Sequence, residues 1–135
     1  MAISFTISDT YAIPPEALYV AWLDSVLHSA MTGGEAHISA ELGVSFSVWD
    51  GYITGQNLEL EPGKRIVQTW RTTEFTPEDP DSRLEILLNP ALEGTKLTLI
   101  HSGIPKGQPD YAQGWKDFYF EPMREYFSPH KIGSN

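Results

Sequence analysis

Cysteine is missing from this chain altogether, which excludes disulfide staples and thiolate-bound metals. Long apolar runs are missing too, so no segment is suited to crossing a bilayer. The opening residues Met1-Ala2-Ile3-Ser4-Phe5-Thr6 lack both the basic region and the continuous apolar core of a secretory signal. Basic residues are scarce, nine against eighteen acidic, for a net charge of −9. A surface of that sign repels phosphate backbones and anionic lipid. These absences predict a cytoplasmic protein that binds no nucleic acid, does not insert into membranes, and is a monomer or a weak dimer.

Aromatic residues are what the chain has in quantity: four Trp, six Tyr and six Phe in 135 residues. The length suits one domain with a real core. Large rings either fill such a core or line a pocket for an apolar ligand.

Turn chemistry and periodicity outline an antiparallel meander. Ile3, Phe5 and Ile7 alternate with polar residues as a half-buried strand does. Pro14-Pro15-Glu16 suits a helix start, with residues 17–23 helical and Leu18 and Trp22 on the buried side. Asp24-Ser25 can cap a second short helix through Met31, ended by Gly33-Gly34. Phe46 and Val48 share one strand face, and Asp50-Gly51 fits a two-residue type I′ hairpin leading into residues 52–60. Pro62-Gly63 fits a type II turn. The next strand presents Ile66, Gln68 and Trp70 on one face, with Arg65, Val67, Thr69 and Arg71 on the other. Residues 76–81 read as an exposed loop. Leu84, Ile86 and Leu88 form another strand, Asn89-Pro90 and Glu93-Gly94 mark a reversal, and Leu97, Leu99 and His101 continue the alternation.

After the loop at 103–109, residues 111–127 read as one long helix. Its expected apolar stripe is Tyr111, Trp115, Phe118, Pro122 and Tyr126. Pro122 is expected to kink this helix or split off its last turn, and the tail from Ser128 to fray. The whole chain, residues 1–135, reads as a single domain. One face of a curved sheet must then be covered, and only the terminal helix has a long enough apolar stripe to do it.

Several residues in this outline resemble a known family. They are Asp50-Gly51 with Gly55; Leu60-Glu61-Pro62 with Arg65-Ile66-Val67 and Trp70-Arg71; Gly103-Ile104-Pro105; and Gly114-Trp115-Lys116 with Tyr119-Phe120-Glu121-Pro122. In order and spacing they resemble homologues of the heat-shock protein 90 ATPase activator, in the START-like helix-grip superfamily, over residues 10–127. The resemblance implies an α+β fold: an antiparallel sheet of about six or seven strands curved around a long C-terminal helix, with two short helices after the first strand. It also implies two kinds of function. Many members of the superfamily hold hydrophobic small molecules between sheet and helix, and some catalyse reactions there. The eukaryotic co-chaperone with this domain stimulates a chaperone ATPase and carries a separate N-terminal chaperone-binding domain, for which this chain has no room.

The leading expectation is therefore binding of an apolar or amphipathic, lipid-like or aromatic small molecule. Phe46, Val48, Gln68, Trp70, Ile86, Leu99, His101, Trp115 and Tyr119 are the candidate lining. His101 either faces a ligand as an acid partner or proton carrier, or is bonded to water or backbone at a strand end. Gln68 either contacts a ligand or satisfies a neighbouring group in the core. Trp70 and Trp115 either clamp a ligand or simply pack. A chaperone-associated stress-response interaction protein, implied by the resemblance, and a cavity enzyme using His101 are the alternatives.

No cofactor is implied. His37 and Glu41 have a helical metal-ligand spacing, but the segment reads as strand and turn, so no metal site is expected. His101 and Ser102 lie on opposite strand faces and cannot form a nucleophile–base pair. No nucleophile elbow, phosphate loop or dinucleotide fingerprint is present, and no acid–base pair can be assigned for catalysis.

Overall fold

Apolar–polar alternation builds strand β1, Ile3–Tyr11, and two helices follow: α1, Pro15–Trp22, and α2, Ser25–Thr32. This computed structural model describes residues 3–128. Of the tail expected to fray, residues 129–135, His130 among them, lie outside the described residues. Pro15 occupies the first turn of α1, where its missing N–H costs nothing. Asp24 caps α2, its carboxylate accepting from the Leu27 N–H at 2.9 Å, and Gly33 ends that helix at φ +90°.

The remaining strands are β2, Ser45–Val48; β3, Ile53–Glu61; β4, Arg65–Thr72; β5, Ser82–Ala91; and β6, Gly94–Ile104. With β1 they form one six-stranded antiparallel sheet in the order β1-β6-β5-β4-β3-β2. Among the described residues the pairing of β1 with β6 is the only non-sequential one between strands, and α1 and α2 connect the two ends of the sheet. At Pro62-Gly63, Gly63 has φ +73° and the Lys64 N–H donates to the Glu61 carbonyl at 2.9 Å, the expected type II turn.

Two turns differ from expectation. The β2–β3 hairpin closes at the Val48–Ile53 pair, so its loop has four residues and not two. Asp50 and Gly51 do have positive φ, +57° and +88°, and the Tyr52 N–H reaches the Trp49 carbonyl at 3.1 Å, but Trp49 itself also has φ +54°. Asn89-Pro90 does not mark a reversal. Both remain in β5, paired with Lys96 and Thr95, and the chain turns only after Ala91.

The C-terminal helix is also divided differently. It runs as α3, Tyr111–Trp115, a π-helical turn over Lys116–Phe120, and α4, Glu121–Tyr126. Pro122 cannot donate to the residue one turn earlier, and the wider π turn precedes it. The extra residue per turn shifts the apolar phase. Tyr111, Trp115, Tyr119, Phe120 and Met123 are buried, while Phe118 and Tyr126 are 56% and 44% exposed, so the stripe expected through Phe118 and Tyr126 is corrected to Tyr119 and Met123. This stripe packs over Ile66, Trp70, Leu84, Ile86, Leu97 and Leu99 from the sheet, all within one core cluster.

Candidate functional site

Four aromatic rings from the sheet side and the C-terminal helix meet edge-to-face or tilted in the core. Trp70 on β4 lies 5.8 Å from Trp115 and 4.9 Å from Tyr111 between ring centroids; Trp115 lies 4.6 Å from Tyr119. Trp22 of α1 stacks on Tyr119 at 5.1 Å. Where the β2–β3 loop approaches the helix, these rings separate and leave a cleft of about 360 Å³. Trp49, Tyr52 and Ile53 form its hairpin wall, Trp70 its floor, and Tyr111, Gly114, Trp115, Phe118 and Tyr119 its helical wall; Pro109 and Asp110 stand at the helix entrance. The volume is at the lower end of the range for small-molecule sites, about 300–1,000 Å³.

The cleft depends on Trp49. Strand alternation from Phe46 and Val48 sends residue 49 to the opposite face, and its left-handed backbone conformation turns it back toward the helix. There its ring meets Phe118 at 5.6 Å. Gly34 makes the seat: a Cβ on that glycine would lie 2.4 Å from Trp49 Cε3. The Trp49 indole nitrogen is buried without a hydrogen-bond acceptor of normal geometry, although the Tyr119 hydroxyl lies within its electrostatic reach.

Two buried histidines fix the walls. The Trp115 indole N–H donates to His101 Nδ1 at 3.1 Å, which puts the ring proton on Nε2, 2.8 Å from Ser82 Oγ. Ser82 in turn donates to the Trp70 carbonyl at 2.8 Å. His101 is fully buried, and burial lowers its pKa to about 3. Both imidazole nitrogens are therefore occupied by the protein. The Ser82–His101 contact also has the wrong sense for nucleophile activation, because Nε2 donates to the hydroxyl. His28 forms the second relay. Its Nδ1–H donates to the Trp22 carbonyl at 2.8 Å, and its Nε2 accepts from the Tyr119 hydroxyl at 2.8 Å. Burial lowers the His28 pKa to about 4, against the opposing pull of the Trp22 carbonyl, and burial pushes the Tyr119 hydroxyl well above the ordinary phenol range.

Of the nine residues expected from sequence, Trp70, Trp115 and Tyr119 line the cleft. Phe46, Val48 and Gln68 sit deeper, around a void of only about 10 Å³, no more than one water's worth of space. Ile86, Leu99 and His101 lie in the closed core. Gln68 serves the core: its Nε2 donates to Asn57 Oδ1 at 2.9 Å, and Asn57 donates onward to the carbonyls of Ser39 and Glu41 at 2.7 and 3.0 Å. A register shift in β3 between Asn57 and Glu59 makes this bracket. Sequence reasoning missed Trp49, Tyr52, Ile53, Tyr111 and Phe118 as cleft residues and His28 as a buried anchor. Tyr111 and Phe118 were readable as helix aromatics. Trp49 was hidden by its positive φ, and His28 by the more apolar Val26 and Leu27, which face solvent.

At the mouth, the Tyr52 hydroxyl donates to the Glu74 carboxylate. The Tyr111 hydroxyl donates to Gln108 Oε1 at 2.7 Å and, having used its proton there, accepts from Thr72 Oγ1 at 2.7 Å. A second concavity, about 550 Å³, lies on the outer face of β2–β4. It is polar, and its groups bond to the protein itself: Thr69 Oγ1 accepts from the Gln56 N–H, and Arg71 pairs with Asp81 at 2.7 Å. Among the described residues no cluster of three or more His, Asp or Glu side chains could hold a metal, and no helix is long and apolar enough to cross a membrane.

Residues 12–128 match the family described as Activator of Hsp90 ATPase homolog 1-like protein. The human Activator of 90 kDa heat shock protein ATPase homolog 1 is 30% identical over 123 residues, covering 90% of this chain and 36% of that protein. The Dictyostelium discoideum Activator of 90 kDa heat shock protein ATPase homolog is 31% identical over 103 residues, covering 73% of this chain and 26% of that protein. The chain thus spans about a third or less of either relative. Among solved structures, an HSP90 activator from Plasmodium falciparum superposes with a TM-score of 0.81 at 24% identity, covering 92% of this chain and 95% of that one. CalU16 from Micromonospora echinospora superposes at 0.77 with 23% identity, covering 97% and 80%. Both have the helix-grip architecture.

Proposed function

We propose a function from the premise that this chain belongs to the Activator of Hsp90 ATPase homolog 1-like family: it acts as one helix-grip domain, residues 1–135, that binds an apolar or amphipathic small molecule in the cleft between the β2–β3 hairpin, β4 and the C-terminal helix. The observation that carries this reading is the 360 Å³ cleft itself, with aromatic rings at seven of its eleven lining positions. A flat apolar ligand there gains burial at roughly 25 cal/mol per Å² and ring contacts in addition. Trp70, Trp115 and Tyr119 are the binding residues retained from the sequence; Trp49, Tyr52 and Phe118 join them. The other six candidates act through packing or positioning, His101 by holding the Trp115 indole in place.

The test is a ¹⁵N NMR titration with a panel of fatty acids, sterols, flavonoids and small aromatic amines. Shifts clustered on Trp49, Tyr52, Trp70, Trp115 and Tyr119 support the reading. Phe118 is more than half exposed, so Phe118→Ala is expected to weaken binding without unfolding the protein. Affinity unchanged in that variant, or shifts confined to the outer polar concavity, would sink it.

A second reading is a chaperone partner, favoured by the human relative's name as an activator of a heat shock protein ATPase. It predicts that the chain raises the ATPase rate of a heat-shock protein 90 chaperone from the same cell. A rate unaffected at saturating chain concentration counts against it.

A further inference from the structure

Resting on the small-molecule reading above, the geometry points to an organic cation, a quaternary or tertiary ammonium carried on an aromatic or alkyl body, as the class of ligand this cleft takes. Trp49, Tyr52, Trp70, Trp115, Phe118 and Tyr119 present rings from three sides. The face of each ring carries the negative part of its quadrupole, so a methylated ammonium is attracted where a neutral group of the same shape is merely tolerated.

Charge at the cleft has one sign. Among the described residues, no lysine, arginine or histidine lines it, and its one charged lining residue is Asp110. Asp110 is held at the entrance by capping the helix, its Oδ1 accepting from the Gln113 N–H at 3.2 Å. Glu74 supplies a second carboxylate, tethered to the lining residue Tyr52 through that hydroxyl. Arg71, next to Trp70 on β4, is already engaged. Its guanidinium lies 5.3 Å from the Phe75 ring centroid and bonds Asp81 and the carbonyls of Thr76 and Asp79. The net charge of −9 adds a field that concentrates cations and repels carboxylate ligands such as fatty acids.

The probes are (4-hydroxybenzyl)trimethylammonium and 4-neopentylphenol, which have the same shape and differ by a nitrogen cation against a carbon. Binding is followed by tryptophan fluorescence and by the indole N–H resonances. The ammonium is expected to bind about tenfold more tightly than its neutral isostere, within the usual reach of cation–ring attraction. Its shifts should centre on Trp49, Trp70 and Trp115. Asp110→Asn combined with Glu74→Gln keeps the helix cap and the Tyr52 contact, and is expected to reduce the preference severalfold.

Equal affinity for the two probes, or tighter binding of the phenol, overturns the cation assignment and leaves the small-molecule reading standing. Binding of neither overturns the cation assignment, and silence across the wider panel above overturns the small-molecule reading as well. A preference undiminished in the double variant, or ammonium shifts confined to acidic surface outside the cleft, also overturns the assignment.

Discussion

Acid should loosen this fold well above the pH at which carboxylates titrate, because two of its anchors are histidines held neutral. His28 and His101 are both buried with every ring nitrogen engaged, and their pKa values fall from 6.5 to about 4 and about 3. As pH drops below 6.5 the unfolded chain takes up a proton at each site and the folded one does not. Stability is therefore complete above the unfolded pKa, falls with pH below it, and stops falling only near pH 4 to 3, where the folded sites protonate. Each histidine contributes a slope of about 1.4 kcal/mol per pH unit once well below its unfolded pKa. Integrated from pH 7 to pH 5, that is about 2 kcal/mol per histidine and roughly 4 for the pair, a large share of the 5–15 kcal/mol typical of a domain.

Glu85, whose carboxyl is lowered below its ordinary 4.5 chiefly by the bond from Arg65, weakens the fold in the same direction only at more acid pH, outside this interval. The assay is urea unfolding followed by tryptophan fluorescence at pH 7, 6 and 5, with the denaturant slope checked for constancy. His28→Gln and His101→Gln should each lose about half of the pH dependence, whatever their stability at neutral pH. A wild-type midpoint that does not move between pH 7 and 5, or single variants that retain the full dependence, would refute the closed-relay account.

Further consequences can be measured directly. Tyr119→Phe leaves His28 Nε2 buried without its donor and should cost about 1–3 kcal/mol in urea unfolding; a neutral result would show that the bond is not formed in solution. Gly55→Ala places a Cβ 1.9 Å from the Thr69 carbonyl oxygen and 2.7 Å from Phe46 Cζ, so β3 and β4 must separate. Loss of more than about 2 kcal/mol is expected, and a fully stable variant would contradict the strand pairing there. Leu92→Ser, at a side chain with no burial, should stay within about 0.5 kcal/mol of the parent. Gly34→Val should displace Trp49 from its seat, seen as loss of the Trp49–Phe118 contact in indole chemical shifts, and should weaken ligand binding while far-UV circular dichroism is kept.

Local chemistry determined most of the architecture. Alternation in β1, β4, β5 and β6, the Asp24 and Gly33 caps, and the Pro62-Gly63 turn are short-range consequences of residue type, readable one segment at a time. The inward direction of Trp70 and His101 followed from the same period of two. The site was less legible, because it depends on coincidences between distant segments. Trp49 reaches the cleft only through a positive φ that nothing in Val48-Trp49-Asp50 requires, and only because Gly34, fifteen residues earlier, leaves space for its ring. Phe118 became a rim residue and Tyr119 a core one because a π turn ahead of Pro122 shifted the helix phase. Whether Gln68 and His101 meet a ligand or the protein depended on Asn57 arriving through a β-bulge and on Trp115 arriving from the C-terminal helix. Periodicity assigns a side chain to a face. Only packing in three dimensions decides which partner waits there, since that partner's position is set by every element between them.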